Sequence, residues 1–200
     1  IQVSLVHHNA TADEIGAAVK AGARFCSHLG NGIAEHIDRR HNPLWPQLAE
    51  DELVATIIAD SFHLSYAQLS VFYRVKGPDH LIFVSDASPP AGLAPGRYHW
   101  AGQEVELLPD NKLALVGTNY LAGAAEPIGS GVERMVRENI CSPEQSINLV
   151  TRNPARWFGL TDRGELEQGK RADLIWFHWQ DHHLIIDKTM VGGDIVYVRE

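Results

Sequence analysis

The chain has 200 residues, a length that suits one ordinary domain or part of a larger one. Hydrophobic residues make up 44% of it and charged residues 21%, as in a globular protein with a core, and the net charge of −8 argues against a general nucleic-acid binder. No apolar run approaches the roughly 18 residues of a membrane-spanning helix, two cysteines are too few for a disulfide scaffold, and eleven histidines direct attention to metal or proton-transfer chemistry.

The first half of the chain alternates between short apolar strands and helices. Strands are predicted at 1–6, 23–27, 53–59 and 81–85. Helices are predicted at 11–21 and 65–75, the first opened by a capping box of Thr11 and Glu14, and residues 30–46 are predicted to form a long loop. This alternation predicts parallel strands joined by right-handed crossovers.

The second half of the chain departs from that alternation. Short alternating stretches predict a β excursion at 98–116, and helices are predicted at 125–138, 143–151 and 154–158. Short strands at 164–166, 172–178, 183–186 and 191–198 then predict a small β layer beside the main body. We place the boundary between the two domains after residue 160, giving domains 1–160 and 161–200.

Polar side chains follow the predicted parallel strands at their carboxyl ends, namely His7, His28, His63 and Asp86. In a (β/α)₈ barrel that end carries the active site. A doubly wound sheet is the rival architecture, but the turn after the first strand lacks a glycine-rich phosphate loop. Since four strands cannot close a barrel, we expect further strands before residue 1, where the chain opens in mid-strand; completion by another chain is the alternative.

The strand-end residues suit a hydrolytic metal centre. His7 and His28 can converge on one cation, imidazole is a good ligand for Zn²⁺, and Asp86 is placed to accept a proton from water activated by the metal. The alternatives are hydrogen-bonded structural histidines and a turn-forming aspartate. Periodicity alone does not decide whether His7 or the neighbouring His8 faces the site.

Five motifs in order carry a specific resemblance. They are His7–Thr11, His28–Gly32, Ile57–His63, Val84–Gly92 and the tail 164–174, with 153–156 preceding the last. Over essentially all 200 residues the chain resembles the carboxyl-terminal half of the N-acetylglucosamine-6-phosphate deacetylases, in the amidohydrolase superfamily.

The resemblance implies an α/β fold: strands five to eight of a (β/α)₈ TIM-type barrel, followed by the C-terminal strands of a small accessory β-sandwich domain. It implies that His7 and His28 bind a divalent metal, expected to be Zn²⁺, that a third ligand (a glutamate) lies upstream of residue 1, and that Asp86 is the catalytic acid/base. It further implies substrate binding by Asn31, Gly32, Arg39, Asp60, Ser61, Phe62, His63, Leu121, Ala122 and Gly123.

The implied activity is removal of the acetyl group from an N-acetyl amino sugar, N-acetylglucosamine 6-phosphate or a close analogue. In the implied reaction a bound metal would activate the attacking water, and Asp86 would take the proton of the water and pass it to the departing amine. The resemblance also implies a homodimer in which Arg39 reaches the partner subunit's substrate phosphate. We expect a cytoplasmic protein with a small-molecule substrate and neither nucleic-acid nor membrane partners.

Departures from the family motifs keep other functions open. The usual aromatic-Asn-Ala-Met after the second histidine is replaced by residues 30–33, and the usual Arg-Glu-Pro-Gly by residues 39–43. A reshaped substrate wall at Gly30 and Gly32 would suit a cyclic amidase or an N-acyl-amino-acid deacylase of the same superfamily. The remaining alternative is a non-catalytic sugar-binding relative.

Overall fold

A computed structural model describes the whole chain, residues 1–200. Four strands form a parallel sheet in sequential order, which confirms the predicted pairing of the first half. They are shorter than predicted: all four end before their polar carboxyl ends, and the first three also begin one to three residues later than predicted. Their bounds are β1 (Ser4–Leu5), β2 (Phe25–Cys26), β3 (Val54–Ile57) and β4 (Leu81–Phe83).

Helices connect these strands, and two of them begin with a reciprocal cap. Helix α1 (Ala12–Lys20) opens with the predicted box, in which Thr11 accepts from the Glu14 amide and the Glu14 carboxylate accepts from the Thr11 amide. Helix α3 (Tyr66–Lys76) has the same arrangement between Ser65 and Gln68. Each cap satisfies donors that the first helical turn leaves free.

Helix α2 (Leu44–Ala49) begins inside the segment 30–46 predicted to be a loop. Its start is fixed by the Asn42 side-chain oxygen, which accepts hydrogen bonds from the amides of Leu44 and Trp45. Pro46 discourages a helix prediction, but it falls within the first turn, where an amide hydrogen has no intrahelical acceptor. The predicted loop is therefore wrong for its last three residues, 44–46.

The predicted β excursion is confirmed as a three-stranded antiparallel sheet. It consists of β5 (Gly96–Trp100), β6 (Gln103–Leu107) and β7 (Leu113–Leu115). The segment after it returns to the end of β4, where the Ser88 amide donates to the Ala124 carbonyl at 2.8 Å. The excursion thus delivers residues 121–124 to the loop that follows the fourth parallel strand.

Three helices and a second antiparallel sheet complete the chain. The helices are α4 (Ile128–Arg137), α5 (Pro143–Asn148) and α6 (Arg152–Trp157). The strands β8 (Leu174–Gln180), β9 (His183–Val191) and β10 (Asp194–Val198) form what we call the tail sheet.

The strand predicted at 164–166 is wrong, because the backbone turns there instead. Gly164 has a φ of +91°, a left-handed conformation that strands do not use. It also lies against α6, where an added Cβ would come within 2.4 Å of the Ala155 Cβ. The glycine therefore allows the backbone to pack closely against α6, and the segment does not extend as a strand.

The main core lies between the parallel sheet and its helices, and α4 joins it to the tail sheet. Val132 and Met135 of α4 belong to the buried cluster. On the same helix, the Glu133 carboxylate accepts from the Leu184 amide at 2.8 Å and pairs with the His183 ring at 3.1 Å. In this structure no helix combines the length and the apolar character that crossing a bilayer requires.

Candidate active site

His7 and His28 meet at the carboxyl edge of the parallel sheet. Their Nε2 atoms are 3.0 Å apart, and their rings pack edge to face with centroids 4.7 Å apart. The strand register explains the meeting, because Leu5 pairs with Cys26 and each histidine follows its strand by two residues. The structure therefore brings together the two side chains that the sequence assigns to one cation.

The neighbouring His8 hydrogen-bonds within its own turn and does not contact His28. Its Nδ1 accepts a hydrogen bond from the Ala10 amide at 3.1 Å, so the ring closes the turn that precedes α1. His28 is buried and its amide donates to the Thr56 side chain at 2.9 Å. Of the two adjacent histidines, His7 is the one that faces His28.

The backbone is strained at three of the predicted site residues. His7, His28 and Asp86 have φ values of 45°, 31° and 51°, in the left-handed region that residues with a Cβ seldom adopt. All three follow parallel strands at the same edge of the sheet. Strain of this kind persists where the surrounding fold enforces it and is concentrated at functional sites. The three outliers thus mark this edge as the candidate site.

Asp86 lies at that edge without a protein partner. Its side chain is exposed and makes no hydrogen bond or ion pair. Asp86 follows β4, whereas His7 and His28, which contact each other, follow β1 and β2. The carboxylate is free to accept a proton from a bound molecule. Its catalytic role stays a prediction.

Residues after β3 form a compact turn that we call the His63 loop, residues 60–64. Buried Asp60 accepts through Oδ1 from the amides of Phe62 and His63, at 3.0 and 2.8 Å, and its Oδ2 lies 2.7 Å from the His63 Nδ1. Burial by itself would raise the pKa of the Asp60 carboxyl, but the hydrogen bonds from the His63 ring and the two amides outweigh it and lower that pKa. Asp60 is therefore held as a carboxylate.

Two side chains at this loop were not predicted from the sequence. The Glu126 carboxylate accepts from the Ser61 amide at 3.4 Å, and burial raises the pKa of this carboxyl. Arg134 of α4 reaches the carbonyl oxygens of Asp60 and Leu64. Sequence separations of 65 to 74 residues explain why no local pattern reveals these contacts.

The glycine-rich segment after His28 is divided between the core and the site. An added Cβ at Gly30 would meet Leu64 and Phe72 at 3.0–3.1 Å, so this position faces the core and not a substrate wall. At Gly32 it would lie 3.1 Å from the ring of His7, so this position borders the candidate metal ligands. Between them, the Asn31 Nδ2 is buried without a hydrogen-bond partner.

The remaining predicted substrate residues lie in two places. Arg39 is exposed, its side chain has no ion pair, and its carbonyl accepts from the Trp45 indole at 3.0 Å. The segment 121–123 is partly buried beside the loop after β4, where Gly123 approaches Ser88 so closely that an added Cβ would overlap it. Neither place contacts the two histidines.

A cavity of about 530 Å³ opens beside His7. Four histidines, His7, His8, His36 and His41, share its lining with Asp38. The volume lies within the range of pockets that take small molecules. The site therefore offers space for a ligand next to the histidine pair.

The histidine pair fits a divalent cation chemically. Neutral imidazole nitrogens bind Zn²⁺ at about 2.0–2.1 Å, and the Nε2 separation of 3.0 Å lets one ion reach both rings. No group of three or more metal-ligating side chains occurs in the structure, so His7 and His28 alone fall short of the three protein ligands of a catalytic zinc site.

Comparisons with known proteins agree with the motifs. Residues 104–196 match the model of the amidohydrolase family. The N-acetylglucosamine-6-phosphate deacetylase of Bos taurus is 33% identical; this match covers the whole chain and 49% of the relative. An N-acetylgalactosamine-6-phosphate deacetylase of Shewanella sp. (strain ANA-3) is 26% identical; this match covers 99% of the chain and 49% of the relative.

A solved structure shows the same likeness in three dimensions. The chain superimposes over its full length on 51% of the N-acetylglucosamine-6-phosphate deacetylase of Pasteurella multocida, with a TM-score of 0.88 and 29% identity. The chain spans about half the length of the curated relatives it matches. Motifs, family model and superposition agree: residues 104–196 match the amidohydrolase family, and the whole chain is similar to about half the length of the N-acetylglucosamine-6-phosphate deacetylases.

Proposed function

We propose that the protein is a metal-dependent deacetylase of an N-acetyl amino sugar phosphate, with N-acetylglucosamine 6-phosphate as the first candidate substrate. The observation that carries this proposal is the pair of facing Nε2 atoms of His7 and His28 at a strained strand edge. The names of the relatives supply the substrate class. The cytoplasmic location expected from the sequence belongs to the same proposal.

The architecture belongs to the proposal as well. We assign the four parallel strands to positions five to eight of a (β/α)₈ barrel, in domain 1–160, and the tail sheet to an accessory β domain, in 161–200. The sequential order of the parallel strands and the polar residues at their carboxyl ends support the barrel.

In the proposed reaction the chain's own residues bind, orient and move a proton. His7 and His28 hold the cation, with a third ligand upstream of residue 1; a bound Zn²⁺ lowers the pKa of water to near neutrality. The free carboxylate of Asp86 accepts the proton of the attacking water and returns it to the amine as the amide bond breaks. The unpartnered Asn31 Nδ2 supplies a hydrogen-bond donor for substrate.

The substrate phosphate is assigned to Arg39 of the partner subunit in a homodimer. The exposed and unpaired side chain of Arg39 supports this assignment, because a guanidinium without an internal partner is available to an external anion. The Arg39→Ala substitution should raise KM for the phosphorylated substrate and leave KM for its unphosphorylated counterpart within about twofold.

Acetate release from N-acetylglucosamine 6-phosphate tests the proposal directly. The assay uses the zinc-loaded protein with its upstream segment, since the third ligand is proposed to lie there. Asp86→Asn should lower kcat by about 10³-fold or more, in the range of a lost general base. Asp51→Asn is the matched control, because Asp51 is also exposed and lies away from the site.

The N-acetylgalactosamine 6-phosphate epimer is the second candidate substrate, because the Shewanella relative carries that name. The ratio of kcat/KM between the two epimers decides which one the site prefers. Faster hydrolysis of unphosphorylated N-acyl amino acids would favour the alternative deacylase. No acyl release from any of these compounds, with zinc bound, would refute the proposed function.

A further inference from the structure

The ring of His63 is fixed at one nitrogen and open at the other. Its Nδ1 lies 2.7 Å from the Asp60 Oδ2, and only about 10% of the side chain is exposed. Its Nε2 has no partner in the protein and is not among the buried unpartnered atoms, so it is accessible from outside. The ring therefore presents Nε2 at the edge of the sheet that carries His28 and Asp86.

The bonding of Asp60 dictates where the His63 proton sits. Asp60 Oδ1 is occupied by two backbone amides, and a carboxylate can only accept hydrogen bonds. The His63 Nδ1 must then carry the hydrogen that points at Oδ2. In the neutral ring this leaves Nε2 as an acceptor. Because both oxygens of Asp60 are used inside the loop, this residue reaches a substrate only through His63.

Arg134 of α4 hydrogen-bonds to both ends of the same loop. Its side chain is 7% exposed, and its Nη1 donates to the carbonyls of Asp60 and Leu64, the first and last residues of the His63 loop. Its Nε donates to the Glu138 carboxylate at 2.9 Å, which fixes the guanidinium on the helix. One buried cation thus brackets the turn that carries His63.

We propose that Asp60 and Arg134 are positioning residues that fix the Nδ1-protonated tautomer of His63, so that its Nε2 accepts a hydrogen bond from a hydroxyl or amide N–H of the substrate. The substrate part of this statement rests on the proposed function. The tautomer part rests only on contacts within the chain.

Nitrogen-15 NMR of the histidine rings tests the tautomer directly. At about pH 8.5, above the ordinary histidine range, His63 should show a protonated Nδ1 and a bare Nε2. In Asp60→Asn the side-chain oxygen should keep accepting from the amides of residues 62 and 63. The new amide group then donates to the His63 Nδ1, and the ring hydrogen moves to Nε2. An unchanged tautomer in Asp60→Asn, or a protonated Nε2 in the unsubstituted protein, overturns the inference.

Variants of α4 test the role of Arg134. Arg134→Met should mix the two tautomers of His63 by releasing both loop carbonyls, whereas Arg134→Lys, which keeps a donor, should retain most of the native signal. Arg137→Met is the matched control, because Arg137 is an exposed arginine of the same helix with no hydrogen bond to the loop. Equal His63 spectra for Arg134→Met and Arg137→Met would overturn the role of Arg134.

Kinetics separate the positioning role from a purely structural one. In Asp60→Asn, KM for the sugar phosphate should rise about tenfold, the factor expected for one lost hydrogen bond, with kcat within about threefold. An inverted tautomer with unchanged KM overturns the acceptor role of Nε2. If the protein releases no acetate at all, the proposed function fails, while the NMR result still decides whether Asp60 sets the His63 tautomer.

Discussion

The contact between Gly131 and Ala59 fixes how closely α4 approaches the end of β3. An added Cβ at Gly131 would lie 2.9 Å from the Ala59 Cβ, and both residues are buried. Carbon atoms in contact normally stand about 3.5–4.0 Å apart. The Gly131→Ala substitution must therefore move the helix or the strand by roughly 0.6 Å or more.

Two opposing effects set the stability of Gly131→Ala. Alanine favours a helix over glycine by about 0.5–1 kcal/mol, whereas overpacking a filled core costs about 1–3 kcal/mol. We expect a net loss of about 1 kcal/mol in the free energy of unfolding. Gly129→Ala in the same helix is the control, because nothing lies within 4 Å of its added Cβ, and it should stabilise the protein.

Urea unfolding of the two variants measures the difference. In a protein that already carries Ala59→Gly, the Gly131→Ala substitution should cost less free energy of unfolding than it does in the unsubstituted protein. The clashing Ala59 methyl group is then absent. If Gly131→Ala stabilises the protein as much as Gly129→Ala does, the close packing of α4 on β3 is refuted.

Three further predictions follow from the site and the tail. His7→Ala should weaken zinc binding by at least about 100-fold, whereas His8→Ala should change it less than about threefold, as measured by competition with a zinc chelator. Because the folded-state pKa of Asp60 is lowered from 3.8, its stabilising contribution is complete above that value and is lost as pH falls through the folded pKa. Asp60→Asn should therefore flatten the acid limb of the stability curve below about pH 4, as followed by urea unfolding at successive pH values. Gly164→Ala should destabilise the protein by about 2 kcal/mol more than Gly159→Ala in thermal unfolding, since both glycines have positive φ but only the former meets Ala155.

Local signals in the sequence predicted much of the first half correctly. The parallel strands follow from their apolar runs, and helix α1 begins at the capping box of Thr11 and Glu14, as predicted. The strand ends also identify His7 and His28 as neighbours, because parallel strands of matched register bring equivalent residues together.

Other features depend on contacts that no local pattern carries. The Gly164 segment reads as a strand until the close approach of Ala155 is known. Helix α2 begins with a cap from Asn42, and Pro46 conceals it. In the sequence, Arg134 is one residue of an amphipathic helix pattern. Only the folded chain shows that its side chain is buried against the His63 loop, 70 residues away.

Helix α4 forms hydrogen bonds to two distant parts of the chain through two adjacent residues. Glu133 is tied to β9 of the tail sheet, and Arg134 is tied to the His63 loop. The tail sheet and the His63 loop are thus held by neighbouring residues of one helix. A substitution that loosens β9 should therefore also speed amide hydrogen exchange in α4, because the two elements share these contacts.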